Sequence, residues 1–261
     1  MSETPIRVVT AASLFDGHDA AINIMRRLLQ REGAEVIHLG HDRSVDEIVE
    51  AAIQEDAQAV AVSSYQGGHM EFFGYLVDQL AARGAGHVRV YGGGGGTIVP
   101  DEIEALHARG VARIFSPDDG RRLGLEGMIG GILDECRAAP PRPPPHELLE
   151  KLAPDAPGAV AQLVSFLEAE GPAGGEEVER TRAALEERAR GHRVPVLGLT
   201  GTGGAGKSSV LDELVRRFRQ ATPELRIGVV LVDPTRRRSG GALLGDRVRM
   251  NAIHERGIFV R

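Results

Sequence analysis

Between residues 6 and 137, short apolar, β-prone runs alternate with helical patterns, and this alternation limits the fold more than any other feature. Strand-type runs cover Ile6–Ala12, Glu35–Gly40, Ala57–Ser63, His87–Tyr91 and Val111–Phe115. Helical spacing covers Asp19–Arg31, Val45–Glu55, Met70–Arg83, Asp101–Ala108 and Arg121–Arg137. Successive strands joined by whole helices run parallel, and a parallel sheet is covered on both faces. The punctuation agrees. Ser44 and Glu47 are spaced as a capping box. Gly33, Gly84 and Gly110 stand just past helix ends, where a left-handed residue is wanted, and Pro100 suits a first helical turn. These patterns predict an α/β domain over residues 1–139, a flavodoxin-like five-stranded parallel sheet.

Ligands of such sheets bind at the carboxyl ends of the strands. Three features fall on three of the five strand ends. Asp16-Gly17-His18 follows the first strand, Ser63-Ser64-Tyr65 closes the third, and Gly92-Gly93 closes the fourth. An imidazole can ligate a metal through one nitrogen while the other donates to a carboxylate, which fixes tautomer and orientation. Each feature alone is ordinary loop chemistry, and Gly92–Gly96 reads equally well as a flexible turn. Their spacing sets them apart: 41 residues lie between Ala21 and Ser63, and 26 between Tyr65 and Gly92.

That spacing resembles the cobalamin-binding fingerprint Asp-x-His-x-x-Gly, Ser-x-Leu, Gly-Gly of the mutase and methyltransferase class. The resemblance implies that His18 replaces the cofactor's own base as lower cobalt ligand and that Asp16 orients it. It implies that Ser63 hydrogen-bonds the displaced base and that Gly92 and Gly93 leave room for the nucleotide tail. Ala21 stands where the motif has Gly, and Tyr65, which could line the tail pocket, stands where it has Leu.

The first domain ends in a proline cluster (Pro140, Pro141, Pro143, Pro144, Pro145) that neither a helix nor a central strand accommodates. Helical patterns follow over His146–Leu152, Gly158–Glu170 and Glu176–Arg190, the last rich in Glu and Arg three and four apart. Residues 140–192 therefore read as a Pro-rich and helical linker without chemistry of its own. A second site follows. Arg193–Thr200 reads as a buried strand, Gly201-Thr202-Gly203-Gly204-Ala205-Gly206-Lys207-Ser208 as a phosphate loop, and Ser209–Phe218 as a helix. Backbone N–H groups of the loop point at phosphate oxygens, Lys207 neutralises phosphate charge, and Ser208 can ligate Mg²⁺. The same residues satisfy a dinucleotide Gly-x-Gly-x-x-Gly, with Asp233 closing the next strand, but Lys207-Ser208 serves a triphosphate and not a dinucleotide.

Ile227–Val232, Asp233-Pro234-Thr235 and Gly245-Asp246-Arg247-Val248-Arg249-Met250 resemble the metallochaperone GTPases that serve acyl-CoA mutases. The resemblance places Val232 (by its backbone), Asp233, Asp246 and Ser208 near Mg²⁺. It places Gly201, Gly203, Gly204, Ala205, Gly206, Lys207, Ser208, Ser209 and Arg249 near GTP or GDP. Arg236–Arg238 read as a solvated basic turn. No guanine-reading Asn/Ser-Lys-x-Asp element is present, so residues 193–261 are expected to form only the first part of a GTPase domain, with its edge strand Gly257–Arg261 unpaired.

The order of the two modules resembles the fused isobutyryl-CoA mutases. By resemblance, the parent enzyme carries a C-terminal barrel for its acyl-CoA substrate and interconverts isobutyryl-CoA and n-butyryl-CoA with adenosylcobalamin. Its GTPase gates cofactor loading, an adenosyltransferase is a candidate donor, and the parent is a homodimer. No catalytic residue is expected within these residues, which bind cobalamin without turnover. Two rival readings are a free-standing P-loop NTPase regulated by its first domain, and a flavodoxin-like receiver; Asp16 lacks the carboxylate company that a receiver needs. Net charge of −6 argues against a nucleic-acid partner. Cys136 is the single cysteine, so no internal disulfide forms, which suits the cytoplasm. No apolar run reaches membrane-spanning length. His38, His41, His69 and His254 show no zinc spacing and read as surface or loop residues.

Overall fold

In the computed structural model, residues 5–18, 20–153, 155–171, 174–232, 243–244, 247, 250–254 and 257–261 are described. They divide into two compact units, Pro5–Pro140 with Leu231–Val248, and Pro141–Val230 with Arg249–Arg261.

The larger unit is the expected doubly wound sheet. Its strands β1 (Arg7–Ser13), β2 (Glu35–Arg43), β3 (Ala59–Ser63), β4 (Arg89–Gly93) and β5 (Arg113–Phe115) alternate with helices α1 (Ala20–Arg31), α2 (Val45–Gln54), α3 (His69–Ala82), α4 (Pro100–Ala108) and α5 (Pro117–Arg137). All pairings are parallel, and the order β5-β4-β3-β1-β2 is flavodoxin-like. Alternation along each strand divides the core. Val9, Val60 and Val62 pack with α2, α3 and α4 residues such as Ile48, Phe73 and Leu106. Val8, Ala59 and Ala61 pack with α1 and α5 residues such as Leu29, Ile129 and Ile132.

Capping fixes where several helices begin. Ser44 and Glu47 close the expected box on α2, and Ser116 and Asp119 close a second on α5. This second cap starts α5 at Pro117, four residues earlier than helical spacing alone suggested. The helix then breaks its geometry at Gly124, whose φ of 65° and ψ of 171° are not helical.

The sheet has one strand more than expected. Leu243–Leu244 forms β7, which pairs parallel with β2 at Val36 and Ile37. Beside it, the buried Arg247 guanidinium donates to Glu55 Oε1 at 2.7 Å and to Gln54 Oε1 at 2.9 Å. This extra strand comes from the stretch whose sequence reads as nucleotide-binding.

The smaller unit contains α6 (Pro145–Glu150), α7 (Pro157–Glu170), α8 (Glu176–Ala189), α9 (Lys207–Ala221) and a parallel pair, β6 (Ile227–Val229) with β8 (Ile258–Val260). The three helices expected after the proline cluster lie close to where the sequence places them. Two expectations fail. Arg193–Thr200 forms no strand and is exposed throughout, with Val194, Val196 and Leu197 at 75%, 92% and 66%. A strand exists only through hydrogen bonds to a neighbour, and this run has none among the described residues. Conversely the strand at residues 257–261, expected unpaired, pairs through β8 with β6. Among the described residues no helix is long and apolar enough to cross a membrane.

Candidate cofactor site

The loop after β1 is built around one carboxylate. Asp16 is 2% exposed. Its Oδ1 accepts from the His18 backbone N–H at 2.8 Å and faces His18 Nδ1 at 3.0 Å. Its Oδ2 accepts from the Tyr65 backbone N–H at 2.6 Å, forty-nine residues away on the loop after β3. A carboxylate only accepts, so Nδ1 carries the proton and Nε2 keeps its lone pair. The His18 side chain is 79% exposed while that of Asp16 is fully covered. The His18 and Tyr65 rings lie 5.7 Å apart. Sheet order causes this arrangement, since β1 and β3 are neighbours paired from Val8–Ala59 to Ala12–Ser63.

Ser13 at the end of β1 and Ser64 after β3 pair through their hydroxyls at 3.0 Å, whereas the buried Ser63 Oγ has no partner among the described residues. A buried hydroxyl without a partner costs stability unless something else meets it. The glycines of the β4 loop separate into different roles. A Cβ on Gly92 would lie 2.4 Å from Phe73 Cζ and 2.6 Å from Ile114 Cδ1, so the protein's own core requires that glycine. A Cβ on Gly94 would lie 2.0 Å from the Ser64 carbonyl oxygen, so that glycine permits the close approach of the two loops. Gly93 meets only the Phe115 carbonyl oxygen at 3.5 Å, and Gly96 meets nothing. Space over this loop is therefore offered by Gly93 and Gly96, and not by Gly92 as the resemblance implied.

His69 is not the surface residue that its sequence position suggested. It is 3% exposed at the start of α3. Its Nδ1 lies 3.0 Å from the Gln66 carbonyl oxygen and its Nε2 2.9 Å from Glu102 Oε2. The Val99 N–H and then the His69 ring hold the Glu102 carboxyl below its ordinary range. The pair joins the loop carrying Ser63–Tyr65 to the start of α4. No sequence pattern marks it, because one partner is a backbone carbonyl and the other lies 33 residues away. His38 is also no loop residue: it lies half-buried in β2, with Nδ1 2.9 Å from Thr10 Oγ1.

The phosphate loop retains its own geometry without the strand expected before it. Gly204 and Gly206 take φ of 79° and 80°, which glycine alone adopts freely. Lys207 Nζ donates to the carbonyl oxygens of Gly201 and Thr202 at 2.9 Å each, so its charge is held over the loop. Ser208 and Ser209 stand in the first turn of α9. Val232 is 87% exposed. It belongs to the larger unit, whereas the phosphate loop belongs to the smaller. Asp233, Asp246 and Arg249 lie outside the described residues.

The donor set of the first site suits a particular kind of metal. Among the described residues no group of three or more His, Cys, Asp or Glu could hold a metal ion. A single oriented imidazole suits a metal that arrives already ligated in a macrocycle.

Comparison with known proteins matches two families to separate stretches of the chain. Residues 6–122 match the B12 binding domain family. Residues 160–261 match the family of the methylmalonyl-CoA mutase-associated GTPase MeaB. The chain is 59% identical over 259 residues to the fused isobutyryl-CoA mutase of Geobacillus kaustophilus, covering 98% of this chain and 24% of that protein. It is 58% identical over 257 residues to that of Cupriavidus metallidurans, covering 98% and 23%. It is also 37% identical over 119 residues to the 2-hydroxyisobutanoyl-CoA mutase small subunit of Aquincola tertiaricarbonis, covering 45% of this chain and 85% of that subunit. The chain therefore belongs to the fused isobutyryl-CoA mutase family and spans about a quarter of the length of the curated members it matches.

Proposed function

We propose that residues 1–139 bind adenosylcobalamin with His18 as the lower cobalt ligand, that residues 140–192 link them onward, and that residues 193–261 begin a GTP- and Mg²⁺-binding domain. The observation that carries this reading is the Asp16 carboxylate, buried and bonded at once to the His18 ring and to the Tyr65 backbone, which leaves Nε2 available. Asp16 fixes the tautomer and makes the ring a better donor. Ser63 Oγ gives a hydrogen bond to the displaced base of the cofactor, and Gly93 leaves room for the tail. Tyr65 stands beside the His18 ring and lines the same space. Gly92 acts indirectly, by letting Phe73 and Ile114 seat the end of the sheet.

When bound, adenosylcobalamin supplies a homolysable cobalt–carbon bond, and the chemistry of that bond is the cofactor's own. This chain's residues hold and orient the lower side of the molecule. In the whole protein we place an acyl-CoA carbon-skeleton rearrangement, isobutyryl-CoA to n-butyryl-CoA, on a substrate domain beyond these residues. Lys207, Ser208 and the glycines of the phosphate loop hold GTP, whose turnover gates cofactor loading. Val232, Asp233, Asp246 and Arg249 complete the Mg²⁺ and nucleotide contacts. An adenosyltransferase as donor, a homodimeric whole protein and a cytoplasmic location belong to the same proposal.

The decisive experiment is electron paramagnetic resonance of cob(II)alamin mixed with this protein. With ¹⁵N-labelled histidine in the protein, coupling to the axial nitrogen changes from a triplet to a doublet if His18 is the ligand. An unchanged triplet, equal to that of free base-on cob(II)alamin, refutes the assignment. His18→Ala removes the histidine coupling while leaving the protein folded, because the ring is exposed.

A further inference from the structure

Phe15 is 82% exposed, the most exposed of the large aromatic residues, and it is immediately followed by Asp16. A single exposed apolar side chain is normal. Phe15 differs because its backbone is strained and held so. Its φ is +64°, a region that bulky residues avoid. Its N–H donates to Asp42 Oδ1 at 2.7 Å, and Asp42 itself has a φ of +58°. On either side the loop is tied again. The Leu14 carbonyl oxygen accepts from the Gln66 side-chain amide, and Asp16 accepts from the Tyr65 N–H. The ends of β2 and β3 thus hold residues 14–16 of the loop after β1 in a conformation that leaves a phenyl ring in water. Among the described residues none covers that ring.

We propose that Phe15 is a cobalamin-binding residue, an apolar seat for the underside of the corrin. This rests on the reading of His18 as axial ligand. A macrocycle held by His18 would lie over the loop that carries it, and the exposed Phe15 ring of that loop would offer it an apolar contact. The strained backbone would then spare an ordering cost on binding, since it fixes where the ring stands.

The test uses the 261-residue chain and titration with adenosylcobalamin, read by the absorbance change of histidine ligation, together with thermal unfolding without cofactor. Phe15→Ala and Phe15→Gly are expected to bind about tenfold more weakly, the scale of uncovering roughly half an aromatic side chain. Their histidine-ligated spectrum persists at saturation. Phe15→Leu restores most of the affinity. The unfolding midpoint of Phe15→Ala stays at the wild-type value, and that of Phe15→Gly stays or rises because glycine relieves the strained φ. If both variants bind as tightly as wild type while wild type shows histidine ligation, the Phe15 proposal is overturned and the His18 reading stands. If affinity and unfolding midpoint fall together in both variants, the ring is structural and the proposal is likewise overturned. If wild type shows no binding at all, the cobalamin reading fails and takes this proposal with it.

Discussion

The three glycines at the end of β4 allow a sharp test of which ones serve the fold and which serve the ligand. Gly92→Ala places a methyl 2.4 Å from Phe73 Cζ, 2.7 Å from Phe73 Cε1 and 2.6 Å from Ile114 Cδ1. Neither neighbour can withdraw: Phe73 is fully buried on α3 and Ile114 is 2% exposed on β5. Overpacking of this kind costs about 1–3 kcal/mol. Gly92 has no positive φ, so alanine also removes unfolded-chain entropy and returns about 0.4–1 kcal/mol. The net is a destabilisation of about 1–2 kcal/mol, or roughly 3–8 °C in the midpoint of a domain of this size. Gly93→Ala meets only an ordinary contact, 3.5 Å to the Phe115 carbonyl oxygen, and is expected to leave stability within about 0.5 kcal/mol. Gly94→Ala drives a methyl to 2.0 Å from the Ser64 backbone oxygen and is expected to be the most damaging. The chain has no Trp, so far-UV circular dichroism in urea is the suitable probe, followed by cobalamin titration of each folded variant. The expected pattern is stability lost at Gly92 and affinity lost at Gly93. A Gly92→Ala protein of wild-type stability would refute the packing argument. A Gly93→Ala protein of wild-type affinity would remove the tail from that position.

Other consequences are equally open to measurement. Asp16→Asn keeps the size of the side chain but loses the charge that orients His18; cobalamin affinity is expected to fall about 10–100-fold, and an unchanged affinity would show that the carboxylate is not needed. Burial opposes ionisation of Asp119, yet the Ser116 N–H and hydroxyl, with Arg113 and Arg122, hold its carboxyl well below the usual carboxylate range. A depressed folded value contributes stability above the unfolded value near 4, and that stability is lost as pH falls below it. Asp119→Asn should therefore cost about 1 kcal/mol at pH 7 by urea unfolding. The gap to wild type should narrow below about pH 4, and a gap independent of pH would count against this cap. Burial pushes the Cys136 thiol up to about 11, and the residue is 5% exposed. Iodoacetamide at pH 8 should leave it unmodified in the native protein and label it once urea unfolds the chain, whereas fast native labelling would contradict its burial.

What could be read in the sequence was what depends on near neighbours. Five strands and five helices follow from periods of two and 3.6, and the Ser44–Glu47 cap from a four-residue pattern. The reasons that stayed hidden are tertiary. Gly92 looks like a loop glycine, but its cause is Phe73 and Ile114, residues distant in the chain. His69 looks like a polar residue opening a helix, but Glu102 makes it a buried partner. The two residues of β7 carry no periodicity, and only their register with Val36 and Ile37 makes them a strand. Arg193–Thr200 shows the converse, since an apolar run of strand composition becomes a strand only when a neighbour accepts its hydrogen bonds.

The same distinction separates the support of the loop after β1 from that of the phosphate loop. Asp16 spends one oxygen on its own loop and the other on the loop after β3. Phe15 is tied to β2 through Asp42, and Leu14 to the loop after β3 through Gln66. Each of these contacts joins elements that the parallel order β2-β1-β3 brings together within one compact unit. Forming the sheet therefore orients the His18 ring through Asp16. The phosphate loop has only local support, the two bonds from Lys207 to its own carbonyl oxygens and the first turn of α9. A loop so supported keeps its curl, but the run before it stays exposed. Cofactor binding at His18 should accordingly be a property of the first domain's sheet, insensitive to nucleotide-site substitutions such as Lys207→Ala. A loss of cobalamin affinity in that variant would show that the two sites depend on each other for their form.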